Sequence, residues 1–313
     1  VHFLKNIYKK TLNYLKFLVG ITLILLLSCP AMLSYDIFNY TTTAKVIFKY
    51  FENPYIVMPV EFIGETNLLF THAANKIALY GPFWIGLTGI PFVLGLGNFL
   101  LTILSFKLFI YVFYLATVIL IWKMSKNMFS IAFFALNPLV IIETLVSAHN
   151  DIVMMFFALF SFFLLIKKKI LLAFLFLLLS IFIKYATIFL LPLFIYVSWK
   201  IIKKEKINWQ KVFLVSFFSM LAIFLLSNFR EEIYPWYGIW FITFAAIIPK
   251  NKFLFYLSLA FSFGLLFRYV PFMLYGTHFG ITPVIKNFVV FVPALFVLLF
   301  FFFKNKLWLK ISH

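Results

Sequence analysis

The sequence predicts an all-α polytopic membrane protein, and three observations carry that reading. First, 65% of the 313 residues are hydrophobic and 12% charged, with a mean hydropathy of +1.08. Soluble domains run at about 45–50% apolar and about 25% charged. Second, the apolar residues fall in runs that approach the roughly 20 residues a crossing needs. Third, 27 Lys and Arg against nine acids give a net charge of +18, and eighteen of those basic residues cluster between the runs: Lys5–Lys10, Lys123–Lys126, Lys167–Lys169, Lys200–Lys211, Lys250–Lys252 and Lys304–Lys310. That is the positive-inside pattern of cytoplasmic loops, so no nucleic-acid partner is expected. A soluble enzyme, a secreted disulfide domain and a disordered chain are excluded. Cys29 is the only cysteine, so no intrachain disulfide can form.

The elements follow in order. Lys5, Lys9 and Lys10 precede an apolar run, Leu15–Leu33, that fits a signal segment or an uncleaved first helix. Leu26-Leu27-Ser28-Cys29 resembles a lipoprotein cleavage box, but Pro30 follows and the chain stays in the membrane, so the uncleaved helix is expected. Val1 fits an unusual start codon or a fragment alike. Residues 34–82 form the first outer loop. Within it Ile37, Tyr40, Ala44, Ile47 and Phe51 have helical spacing, with Lys45 and Lys49 off the stripe, which predicts an interfacial helix over Ile37–Phe51. Phe83–Gly97 is short and Gly-rich and reads as re-entrant or peripheral.

Crossings are expected at Phe99–Trp122, Ser130–Ser147 with a kink at Pro138, and Ile152–Ile166. Ile170–Trp199 has Lys clusters at both ends, so the chain must leave and return within it. Two short helices turning near Lys184 satisfy this. Further crossings at Lys211–Phe229, Trp236–Pro249, Phe253–Val270 and Pro283–Phe303 make about ten. Residues 1–313 are then a single transmembrane domain with both termini cytoplasmic. In this topology nineteen of the 27 Lys and Arg lie inside, the eighteen of the clusters and Lys16, but Glu205 is the one inner acid of nine. The positive-inside rule does not govern acids, so their outer bias points to chemistry on the outer face.

Four groups there could carry it. Asp36 is either the N-cap of the interfacial helix, which Asp favours, or a general base. Asn137-Pro138, Glu143 and His149-Asn150-Asp151 form the second group. A carboxylate at the depth of Glu143 is costly and suggests function; Asp151 also fits an N-cap, and His149 a solvated loop. Three adjacent residues are a weak metal pattern, so substrate contact is preferred and no metal is expected. Lys184, Arg230 and Arg268 sit at outer helix ends, where they either snorkel or recognise a lipid phosphate. Tyr80-Gly81-Pro82-Phe83-Trp84 and Tyr234-Pro235-Trp236-Tyr237 with Trp240 are either interfacial belts or the floor of a sugar site.

Together, Tyr35-Asp36, Asn53-Pro54-Tyr55, Tyr80-Gly81-Pro82, Asn137-Pro138 with Glu143, His149-Asn150-Asp151, Lys184-Tyr185 with Pro192, and Pro235-Trp236-Tyr237 resemble the GT-C superfamily of integral-membrane glycosyltransferases. The likeness is strongest to polyprenyl-phosphate-mannose-dependent mannosyltransferases. The resemblance implies transfer of a sugar, mannose, from a polyprenyl-phosphate-linked co-substrate to a glycan, glycolipid or protein acceptor. The reaction would take place at the extracytoplasmic face of the cell membrane, with no other cofactor. It maps the catalytic acid of the first outer loop onto Asp36. Tyr35, Tyr80, Glu143, His149, Asn150, Asp151, Lys184, Arg230, Trp236, Tyr237 and Arg268, from the groups above, are the expected substrate contacts. The competing class is a transporter or lipid flippase. Against it stand the absence of an inverted repeat and charges at one face instead of the midplane. A structural anchor leaves the outer acids unexplained.

Overall fold

The structure, a computed structural model, describes residues 13, 16–24, 26, 33–230 and 232–311, with the side chains of 230 and 305–311 left out. The described chain is 76% helix with no strand. Of the expected first helix, residues 16–24 and 26 are helical and Leu33 lies in a bend; the rest, with the Lys5–Lys10 cluster and Cys29, lies outside the described residues.

Thirteen α-helices follow among the described residues. They are α1 (Asp36–Phe48), α2 (Pro82–Leu94), α3 (Phe99–Ser125), α4 (Met128–Ala135), α5 (Pro138–Ile141), α6 (Asp151–Ile166), α7 (Ile170–Ile181), α8 (Leu191–Ile202), α9 (Trp209–Arg230), α10 (Gly238–Ala245), α11 (Lys252–Phe267), α12 (Tyr269–Tyr275) and α13 (Thr282–Ile311). A π-helical turn, Ile142–Val146, continues α5.

Among the described residues, five helices are long and apolar enough to cross a membrane: Phe99–Ser125, Tyr185–Ile202, Trp209–Phe229, Lys252–Tyr275 and Thr282–Lys304. The pair Met128–Ala135 and Pro138–Val146, bent by 55°, makes a sixth if it is one span. Pro138 lacks the N–H that would continue α4, so the bend falls where the sequence placed a kink. By length and composition, the described residues supply five or six of the expected ten crossings. Three apolar helices, α2, α6 and α7, are shorter than a span. The crossing expected at Trp236–Pro249 is instead a single 3₁₀ turn followed by the eight-residue α10, every residue of which is buried.

The chain divides into two compact units, Val1–Leu120 with Ile141–Leu191, and Ile121–Val140 with Pro192–His313. In the first unit, the helix expected over Ile37–Phe51 is α1, Asp36–Phe48. It buries Ile37, Asn39, Tyr40, the Thr41–Thr43 run, Ala44 and Val46, while Phe51, expected on its apolar stripe, lies outside the helix and is exposed. Thr41 and Thr42 can be buried because both hydroxyls donate to Phe38 O at 2.9 Å. Lys45 and Lys49 both bind Glu65, which also accepts from Tyr50. Burial works to raise the Glu65 pKa, but these partners outweigh it and hold it at about 2, so the clasp on the loop stays charged at ordinary pH. Helices α6 and α7 pack as a hairpin pinned by hydroxyls: Ser161 Oγ donates to Ala173 O at 2.7 Å and Ser180 Oγ to Met154 O at 2.8 Å.

In the second unit, α11 and α13 approach closely at Gly264. A Cβ there would fall 2.7 Å from Val289 O, so a small residue is required, as at many membrane-helix contacts. Asn137, at the α4–α5 bend, caps the new helix by accepting from Leu139 N at 3.0 Å and donates to Ser262 Oγ at 3.1 Å.

Candidate active site

The first unit holds five charged groups in a chain. Asp36 is the first residue of α1. Tyr35 occupies the N-cap position and makes no side-chain cap bond, while Ser34 Oγ accepts from Asp36 N at 3.2 Å. The cap role weighed for the Asp36 side chain is therefore overturned: its carboxylate is turned to His149, with Asp36 Oδ2 3.3 Å from His149 Nδ1. On the other side of the ring, His149 Nε2 lies 3.3 Å from Glu143 Oε2. His149 is fully buried, which corrects its reading as a solvated loop residue.

The local chain explains this sandwich. Glu143 sits on the π-helical turn, a conformation found often at functional sites. Ala148 then adopts φ +57, a left-handed conformation that is costly for a residue with a Cβ. The reversal lets His149 N donate to Glu143 O at 2.9 Å and folds the ring back over the carboxylate six residues earlier. Asn150 N then donates to Tyr40 OH at 3.2 Å.

Asp151 is the first residue of α6, not its cap, and its carboxylate is fully buried. Lys184 Nζ donates to both of its oxygens, at 3.0 and 3.1 Å. Lys184 lies in an extended link between α7 and the 3₁₀ turn that begins at Tyr185. That link is tied to the first loop: Gly81 N donates to Ile183 O at 3.1 Å and Phe83 N to Phe182 O at 3.0 Å. Pro82, with no N–H, lies between the two donors. Gly81 cannot carry a side chain, since a Cβ would overlap the Phe182 carbonyl. The splice brings Tyr80 to the cluster, where it hydrogen-bonds Asp36 and packs edge-on to Tyr40 at 4.9 Å.

The electrostatics follow from these neighbours. Burial works to raise the Asp36 pKa, but His149 and the charge of Lys184 outweigh it and hold it below 3.8. The positive end of the α1 dipole acts in the same direction. Burial works to lower the His149 pKa, but the carboxylates on either side raise it to about 9. At neutral pH Asp36 is a carboxylate and His149 an imidazolium. Burial and the charge on Asp36 push the Tyr80 phenol well above 10, so it remains a proton donor. Asp36, Glu143 and Asp151 thus stand beside His149 and Lys184, three acidic side chains to two basic ones.

Reach differs sharply within the cluster. The side chains of His149, Glu143 and Asp151 are 0% exposed, while Asp36 is 21% exposed. Both amide atoms of Asn150 are buried with no hydrogen-bond partner among the described residues. An unpaired amide is costly to bury unless it gains a partner.

A family model described as the alpha-(1->6)-mannopyranosyltransferase N-terminal domain matches residues 10–200, more than half of the chain. The chain belongs to this mannosyltransferase family, MptA_B. The match bears out the likeness to mannosyltransferases seen in the short motifs. No curated protein and no solved structure matches the chain. The whole charged cluster, from Asp36 to Lys184, lies within the segment matched to the mannosyltransferase domain.

Sequence reasoning named Asp36, Tyr80, Glu143, His149, Asn150, Asp151 and Lys184, and the structure places all seven in the first unit. It missed Asn39, whose Nδ2 lies 3.5 Å from Asp36 Oδ1, and the contact of Tyr40 with Asn150. Their spacing of three and four from Asp36 on one helix was the available signal. Tyr35 turns elsewhere and stacks on His72 at 3.9 Å. Trp236, Tyr237 and Arg268 belong to the second unit, as does the backbone of Arg230. There Trp236 stacks on Tyr234 at 4.6 Å and Tyr237 on Trp240 at 4.2 Å, all four largely buried in an aromatic ladder.

Proposed function

We propose that the chain transfers mannose from a polyprenyl-phosphate-linked donor to a hydroxyl of a mannoside acceptor, forming an α(1→6) bond at the extracytoplasmic face, with Asp36 as general base. The observation that carries this reading is the reach of Asp36. It is the part-exposed carboxylate of the cluster, and its buried partners keep it ionised and oriented.

In the step envisaged, Asp36 accepts the proton of the acceptor hydroxyl as that oxygen attacks the anomeric carbon. The bond from that carbon to the phosphate oxygen breaks, and the polyprenyl phosphate leaves as a stable anion that needs no acid to protonate it. One displacement inverts the anomeric centre, so an α product requires a β-linked donor. The His149 imidazolium and Glu143 hold the base in place and stabilise its charge before reaction. Lys184, positioned by Asp151, supplies positive charge beside the leaving phosphate. The buried Asn150 amide and the Tyr80 hydroxyl suit sugar hydroxyls.

The test is a transfer assay with purified protein, labelled mannose and a mannoside acceptor. Mannose on polyprenyl phosphate is expected to reach the acceptor, and mannose on a nucleotide diphosphate is not. Transfer from the nucleotide sugar alone would reject the lipid donor, and no transfer from either would favour the transporter class.

A further inference from the structure

A second charged group lies in the other unit and takes no part in the site above. Arg268 joins α11 to α12, and Lys286 lies near the start of α13. Both side chains are only 5% exposed, yet they share one oxygen of one carboxylate. Arg268 Nη2 donates to Glu232 Oε2 at 2.9 Å and Lys286 Nζ to the same atom at 3.3 Å. Arg268 Nη1 also reaches Asn287 Oδ1 at 3.4 Å. Lys286 Nζ lies 3.0 Å from His278 Nδ1. An ammonium can only donate, so Nδ1 is the acceptor in this contact. Among the described residues, two cations therefore share one carboxylate, an arrangement that a further anion would complement.

The surroundings say which anion. Glu232 is 41% exposed, so the carboxylate is the member that can swing away while the cations stay fixed. In the chain segments that flank Arg268, His278 and Lys286, the apolar residues Met273, Leu274, Phe279, Ile281, Val284 and Phe288 are all exposed. His278 stacks on Phe272 at 4.1 Å at its edge. A buried Arg fork with a Lys beside it suits a phosphate, which accepts from both. Exposed apolar side chains alongside suit the hydrocarbon chain attached to that phosphate.

We infer that Arg268 and Lys286 form a receptor for the phosphate of a membrane lipid, with Glu232 as the internal carboxylate that this phosphate displaces. The receptor stands on the second unit alone and does not depend on the transfer reading.

Equilibrium binding to the purified full chain in detergent tests it, with three probes: phosphatidic acid, diacylglycerol of the same chains, and inorganic phosphate. Phosphatidic acid is expected to bind, diacylglycerol not to bind, and inorganic phosphate to compete only weakly. R268Q and K286Q should weaken phosphatidic acid binding, and E232Q should tighten it, each by about tenfold or more. Glu232 is part-exposed, so E232Q carries the test even where a buried-cation variant does not fold. Equal binding of diacylglycerol, or inorganic phosphate binding as tightly as the lipid, would overturn the lipid-phosphate assignment. Weaker binding in E232Q would overturn the displaced carboxylate.

Discussion

At the scale of single residues, the account turns on one imidazole between two carboxylates. His149 has its pKa raised to about 9 by Asp36 and Glu143, above its ordinary 6.5. The sign follows from linkage. Stability from the charged ring is complete below about 6.5 and is lost as pH rises through about 9. Transfer should fall over the same alkaline range, as Asp36 loses the partner that orients it. Glu143→Gln removes one of the two charges that hold the proton. The alkaline limb of kcat/KM should then move to lower pH, while binding of the donor is kept. A limb at the same pH in wild type and Glu143→Gln would mean that the ring does not control the base. The need for these groups was legible in the sequence, because a carboxylate and a His-Asn-Asp run at membrane depth are costly without a purpose. Their pairing was not. It depends on the π turn at Ile142–Val146 and on the left-handed Ala148, which no local residue pattern announces.

At the scale of elements, the splice between the first loop and the link after α7 determines whether Lys184 and Tyr80 belong to the site. Gly81→Ala forces a methyl group into the Phe182 carbonyl, a backbone atom that cannot turn aside. We expect a loss of about 1–3 kcal/mol, the usual range for overpacking. Transfer should fall further than stability, because the strain lands two residues from Lys184. Thermal unfolding alongside transfer rate tests this; a variant as stable and active as wild type would show that the splice does not position the site. Short helices turning near Lys184 were readable from the two flanking Lys clusters. The burial of α1 was not, because its Thr41–Thr43 run looks polar in sequence and becomes compatible with a core only through hydroxyl bonds to its own carbonyls.

At the scale of the whole molecule, hydropathy and charge placement were enough for a helical membrane protein, and the ordered short motifs for a mannosyltransferase. The number of crossings was less legible, because hydropathy does not distinguish a span from a buried short helix such as α10 or from a bent pair such as α4 and α5. The proposed sidedness can be tested in a Cys29→Ser background: Lys184→Cys should label from outside the cell and Glu205→Cys from inside. The reverse pattern would move the site to the cytoplasmic face. The central claim is that Asp36 takes the acceptor proton, and the isosteric variant Asp36→Asn tests it most directly. Asn preserves size and can still bond His149, but it has no basicity. The measurement is single-turnover transfer of labelled mannose from polyprenyl-phosphate mannose, with folding and donor binding checked on the same sample. The account predicts a rate lowered by about 10²–10⁴-fold with donor still bound; a folded, donor-binding Asp36→Asn protein that transfers mannose at the wild-type rate would contradict it.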